Sequence, residues 1–179
     1  MLKLTITSIE QYDEEHDIFI PPKETVLQLE HSLVSLSKWE SEWQKPFLTK
    51  EAKTFEETVD YIRCMTITQN VDYEVYKYIS SANISRVCEY IDNPMTATTF
   101  PKNKGSINRE TITAELIYYW MIANNIPFDC QKWHLNRLLT LINVCNIKQT
   151  KPNKTDSKEL MARNAALNEA RRRSLNSNG

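Results

Sequence analysis

The sequence predicts a mainly α protein: a helical domain with a short N-terminal β-hairpin and a separable C-terminal basic helix. Three observations carry this. Only two glycines, Gly105 and Gly179, occur in 179 residues, too few for a fold built of tight turns and sheets. Apolar residues recur at spacings of three and four through the middle of the chain. Composition then changes abruptly near Lys148, where a polar stretch separates a basic segment from everything before it. At 41% apolar and 25% charged the chain matches ordinary globular usage, so a packed core is expected.

The N-terminal run Leu2-Lys3-Leu4-Thr5-Ile6-Thr7-Ser8-Ile9 alternates apolar and polar residues and reads as a strand, with Ile18-Phe19-Ile20 its expected partner and Pro21-Pro22 the stop. Between Thr25 and Trp43, Leu29, Leu33, Leu36, Trp39 and Trp43 fall on one helical face, although Thr25 to His31 could instead extend the sheet. Thr54 with Glu57 has the form of a capping box opening a helix through Val59, Ile62 and Ile67 to about Thr68. Asp72 is suited to cap Tyr73 to Ile79, and Asn83 to cap Ile84 to Ile91. Met95 to Ser106 reads as a loop. Ile112, Glu115, Leu116, Tyr119, Trp120 and Ala123 give the strongest helical signal, which Pro127 ends. Asp129 is the expected start of the next helix, whose apolar face comprises Trp133, Leu135, Leu138, Leu139, Ile142 and Cys145. A short connection implies that these two form an antiparallel hairpin at the heart of the core, with Trp120 inside it.

The expected organisation is a body over residues 1–147, a linker over 148–156 and an arm over 157–179. In the arm, Asp156 and Glu159 suggest a capping box, and Leu160, Ala166, Leu167 and Ala170 make a thin apolar stripe. From Lys148 onward there are eight Lys or Arg against three Asp or Glu, a balance of +5, which leaves −6 for the remainder of a chain whose total is −1. Such a helix gains little by packing on its own domain, and its charge suits a partner. The partner-binding residues expected are Leu160, Arg163, Leu167, Arg171, Arg172 and Arg173.

Chemistry is sparse. No P-loop or GxGxxG turn can be written without glycine, so nucleotide chemistry is not expected. His16, His31 and His134 lie far apart, outside any HxxxH or HExxH spacing. Cys64, Cys88, Cys130 and Cys145 offer no CxxC pair and read as small buried free thiols. Cys130 and His134, four residues apart, could share a helix face, but no third catalytic group accompanies them. The acidic run Asp13 to Asp17 lacks calcium-loop spacing and reads as a hairpin turn. Tyr118, Tyr119, Trp120 and Trp133 sit among aliphatics and read as core. No catalytic residue, metal or cofactor is expected, and the chain is read as a binding or assembly protein, not an enzyme. The near-neutral total charge argues against nucleic acid as partner, and no apolar run of about 20 residues or secretory leader pattern is present, so no membrane is expected.

The segments LQLEHSLVSLSKWESEWQKPFL, DYIRCMTI, ELIYYWMIANNIPFDCQKWHLNRLLTLINVCNIK and LMARNAALNEARRRSL, together roughly half of the chain, resemble a group of tailed-bacteriophage proteins encoded among virion structural and tail genes. Members of that group are often described as tail assembly chaperones. The resemblance implies a helical protein, expressed late in the host cytoplasm, that binds the helical tape-measure protein and helps tail-tube subunits gather on it. The alternative it leaves open is a permanent virion component, a neck, tail-completion or baseplate subunit. Either reading expects other phage structural proteins as partners and is compatible with a homo-oligomer; neither assigns a catalytic residue.

Overall fold

In the computed structural model of the protein the described residues are 1–13, 16–100, 111–149 and 154–175. The chain divides into two compact units, Met1–Val144 and Cys145–Gly179. The first unit begins with β1 (Leu2–Thr7), whose alternation buries Leu4 and Ile6 and leaves Lys3, Thr5 and Thr7 exposed. Its partner is β4 (Glu24–Leu29), antiparallel with Leu4 opposite Leu27 and Leu2 opposite Leu29. The expected partner Ile18–Ile20 is instead β3, which pairs with β2 (Gln11–Asp13) in a separate small hairpin. Length decides between them. A three-residue strand stopped by Pro21 cannot match six residues of β1, whereas Glu24–Leu29 has the same length and the same period of two. The turn of the small hairpin contains Asp17, in the left-handed region at φ 53°, which accepts a hydrogen bond from the Tyr12 hydroxyl.

The helix expected from Thr25 therefore starts only at Leu33. Ser32 supplies the stop and the start: it is extended at φ −125°, and its hydroxyl accepts the Ser35 N–H while Ser35 Oγ accepts the Ser32 N–H. This helix, α1 (Leu33–Trp43), buries Leu33, Leu36 and Trp39 and ends on a left-handed Gln44. The second helix, α2 (Phe55–Met65), opens on the expected Thr54–Glu57 capping box: Glu57 Oε2 accepts the Thr54 N–H at 2.8 Å and Thr54 Oγ1 accepts the Glu57 N–H at 3.1 Å. It stops at Met65, short of the expected Thr68, because the following backbone joins the sheet edge. Ile67 donates its N–H to the Gln28 carbonyl at 2.8 Å, and Glu30 donates to the Met65 carbonyl at 2.9 Å. Ile67, expected on the apolar face, is consequently exposed.

Asp72 caps a 3-10 helix over Tyr73–Tyr78, as its sequence position suggests. The next helix, α3 (Ser81–Asp92), is capped by Ser80 rather than Asn83; Asn83 is the third helical residue and gives its N–H to Ser80 Oγ. Residues 93–100 form no helix or strand, and the rest of the expected loop lies outside the described residues. Then α4 (Ala114–Ala123), capped by Thr113, buries Ala114, Ile117 and Met121. Trp120 is only half-buried and Tyr119 is exposed, contrary to the expected face. A run as uniformly apolar as Leu116 to Ala123 carries almost no amphipathic signal to identify its inner side. A 3-10 helix over Phe128–Lys132 follows, with Asp129 inside it, and α5 (Leu135–Gln149) buries Leu135, Leu138 and Ile142.

The expected α4–α5 hairpin is not the centre of the core. Outside the small β2–β3 hairpin, the element pairs in broadest contact are β1 with β4, α1 with α2, and α1 with α4. Glu40 explains that last pairing: this buried carboxylate accepts the Phe47 N–H at 2.8 Å through one oxygen and the Ala114 N–H at 2.7 Å through the other. One side chain of α1 thus fixes the turn after Pro46 and the first residue of α4, where helix N-termini favour negative charge. Trp39 adds a hydrogen bond from its indole to the Glu57 carbonyl at 2.9 Å and packs edge-on against Phe47 and Tyr61.

In the second unit α6 (Lys154–Leu175) begins two residues before Asp156, so the expected Asp156 cap lies inside a helix already formed. The helices also occupy both ends of the expected linker, at Lys148–Gln149 and Lys154–Asp156. No helix among the described residues is long and apolar enough to cross a membrane.

Glu40→Ala leaves two buried N–H groups without acceptors, at about 1–3 kcal/mol each, so urea unfolding should show a loss of roughly 3 kcal/mol or more. A variant within 0.5 kcal/mol of the native chain, on the order of an ordinary surface substitution, would show that Glu40 does not hold α4 in place.

Candidate functional site

All described side chains of α6, from Met161 to Arg173, are exposed. Arg163, Leu167 and Arg171 recur at four-residue intervals, so they share one face, with the apolar side chain one turn from a guanidinium on either side. Arg173 lies off that face and binds Glu169 at 2.6 Å within the helix. Arg172 adds a further exposed guanidinium. Of the six expected contact residues, Leu160 falls within the helix span but its side chain is outside the description. Ala166, Leu167 and Ala170, the rest of the thin stripe, are exposed.

A second feature, not legible in the sequence, is a cavity of about 560 Å³ between the end of α1, the outer face of α2 and the Tyr73–Tyr78 helix. Trp43, Phe55, Tyr73 and Tyr76 supply its aromatic surface, with Phe55 63% and Tyr73 66% exposed at the rim. Its polar side is a charge cluster. Asp60 accepts the Trp43 indole N–H at 2.8 Å through one oxygen and Arg63 Nε–H at 2.6 Å through the other. Arg63 also pairs with Glu42. The two carboxylates hold the Arg63 guanidinium firmly charged, Asp60 foremost. Three segments distant in sequence make this surface, which is why no local pattern announced it.

Glu42, Asp60 and Cys64 bring three possible ligand atoms within 4.8 Å of one another. The chemistry does not fit a metal centre, because Arg63 already supplies the positive charge that both carboxylates bind. Burial, with the neighbouring Asp60 second, pushes the Cys64 thiol up to about 11, so it stays protonated at neutral pH and is not an activated nucleophile. Burial likewise raises the Tyr76 phenol, which donates to Thr66 Oγ1 at 3.0 Å. The cavity can receive an apolar or aromatic side chain beside fixed charges; it holds no activated nucleophile.

The Cys130–His134 pair does not assemble. Cys130 sits in the Phe128–Lys132 helix, and His134 turns away to meet the Tyr90 carbonyl at 3.0 Å through Nε2, its Nδ1 having no hydrogen-bond partner. His134 instead meets His31, the ring centres 5.2 Å apart. Tyr118 bonds Gln131, and Trp133 stacks under Arg137 at 4.2 Å. Tyr118 and Trp133 are only half-buried, so of the four aromatic residues expected in the core none is fully enclosed.

Burial sorts the cysteines: Cys64 and Cys130 are buried, Cys145 half-buried, and Cys88, expected inside, is exposed on α3. A maleimide added at pH 7 should therefore label Cys88 within minutes and leave Cys64 unmodified until denaturant is added. Labelling of Cys64 as fast as Cys88 in the folded protein would contradict both its burial and its raised pKa. Comparison of the chain with known protein families, with curated proteins and with solved structures finds no match.

Proposed function

We propose that this chain is a tail-assembly-chaperone-like protein of a tailed bacteriophage, which binds a tape-measure or tail-tube subunit in the host cytoplasm during virion morphogenesis. The observation that carries the reading is α6. It is a helix of 22 residues, about 33 Å long, that exposes every described side chain and sets Leu167 between Arg163 and Arg171. Helices draw most of their stability from packing an apolar face, and this one presents its stripe to solvent. Docking on a helical client supplies the missing packing and lets the guanidiniums meet carboxylates at the rim of the contact. The aromatic cavity of the first unit has no activated nucleophile, which favours a binding role over a catalytic one. The resemblance of the four quoted segments to tail-module proteins supplies the class of client.

The test is co-purification of the full chain with co-expressed tape-measure and tail-tube proteins, accompanied by circular dichroism. Leu167→Glu should keep the helical spectrum and weaken capture at least tenfold. Replacing Arg171, Arg172 and Arg173 together should weaken it less, by an amount that shrinks further in high salt because exposed charges are already screened there. Capture that is unchanged by Leu167→Glu and by truncation after Gln149 would remove α6 from the binding surface.

A further inference from the structure

His31 and His134 are both enclosed, at 1% and 6% exposure, and their rings meet edge to face at the point where four segments converge. His31 lies between β4 and α1, and its Nδ1 is 2.5 Å from the Tyr61 hydroxyl of α2. His134 immediately precedes α5, and its ring also packs edge-on against Tyr90 of α3. A carbonyl can only accept, so His134 Nε2 carries the hydrogen that meets the Tyr90 carbonyl, and Nδ1 is left as a bare lone pair. That nitrogen is buried with no partner. Protonating it in place would create a donor without an acceptor, a cation beside a second imidazole and a positive charge at the positive end of α5.

The surrounding groups offer little relief. Glu30 is the nearby carboxylate, but one oxygen accepts the Tyr90 hydroxyl at 2.7 Å and the other pairs with the Met1 amine at 3.1 Å. Glu30 favours a charge on His134 while the Met1 amine opposes it. On the other side, Tyr61 faces Glu40 and Cys64 and stays un-ionised through burial. Burial holds His31 down to about 3, with His134 as the second cause, and burial also lowers His134. Both imidazoles are therefore neutral in the closed structure at any pH near neutrality.

The same residues tie down the start of α5. Leu135 donates its N–H to the His31 carbonyl at 2.7 Å, His134 binds α3 through the Tyr90 carbonyl, and Asn136 donates to the Ile91 and Asn93 carbonyls at 2.8 and 2.9 Å. We propose that the His31–His134 pair is an acid-sensitive latch: neutral, it holds the first turn of α5 against α3 and the β4–α1 junction, and protonation releases that turn. The sign follows from linkage. Both folded-state values are lowered, so the latch is fully closed above about pH 6.5 and weakens as pH falls below it. An imidazole that is neutral when closed and titrates near 6.5 when open makes opening about 25-fold easier at pH 5 than at pH 7.

Hydrogen exchange of the full chain at pH 7 and pH 5, corrected for the intrinsic rate, tests this. The amides of Leu135 and Leu138 should lose about 25-fold in protection or more, while those of α1 and β4 lose less. In His134→Gln, whose amide can still donate to the Tyr90 carbonyl but cannot titrate, the response should be smaller than in the native chain. The imidazole resonances of the native chain provide a measurement that needs no variant: His31 should not titrate above pH 5 while the protein stays folded, and His134 should titrate below its ordinary range. Equal loss of protection throughout the first unit, an unaltered pH response in His134→Gln, or titration of both rings near 6.5 in the folded chain would each overturn the proposal.

Discussion

A carboxylate can be buried only when its oxygens are supplied with donors, and Glu40 meets that condition by taking the backbone N–H groups of Phe47 and Ala114. Most of the first unit is arranged around this requirement. The Phe47 bond draws the chain after Pro46 back over α1, so that the Phe47 ring stacks on Tyr61 at 3.8 Å and closes the edge of Trp39. The Ala114 bond places the start of α4 beside α1, which lets Ile117 and Met121 turn inward and leaves Tyr119 outside. The capping box of α2 plays the matching part: Glu57 binds Thr54 with one oxygen and Lys45 at 2.7 Å with the other, while its carbonyl receives the Trp39 indole. Polar contacts choose the geometry and apolar burial supplies the driving force.

The elements that could be read from sequence are those whose signal is local. Thr54 with Glu57, Asp72, and the alternation of β1 each depend on neighbours within three residues, and each forms as read. Elements settled by distant partners could not be read in that way. Leu29 fits a helical face with Leu33 and Leu36 as well as it fits a strand; the pairing of Leu27 and Leu29 with Leu4 and Leu2 decides the matter. Thr66–Thr68 would continue α2, but hydrogen bonding to Gln28 is stronger competition than one more helical turn. In α4 the uniform apolarity removes the usual cue, and only Glu40 tells which side faces in.

The two candidate surfaces differ in the same way. Arg163, Leu167 and Arg171 share a face for reasons of helical period alone, so the pattern on α6 was visible in the sequence. Phe55 and Tyr73 appear there as the unremarkable first residues of two short helices, and nothing local links them to Trp43 or to the Arg63 cluster. His31 and His134 are likewise brought together by the bridge between Ser32 and His134, which a spacing rule cannot see. Physically, α6 and the first unit embody opposite strategies. One satisfies its groups internally around Glu40 and Glu57; the other exposes every described residue of its apolar stripe, and so has most to gain from a partner.

A client-binding assembly factor acts during construction and then departs, whereas a subunit of the particle stays. Quantitative mass spectrometry of infected cells and of the purified virions they release separates the two directly. If the proposed chaperone-like role holds, peptides of this chain are abundant in the late cell lysate and absent from the particles. Recovery of the chain from purified virions in fixed stoichiometry with the tail-tube or neck proteins would contradict it.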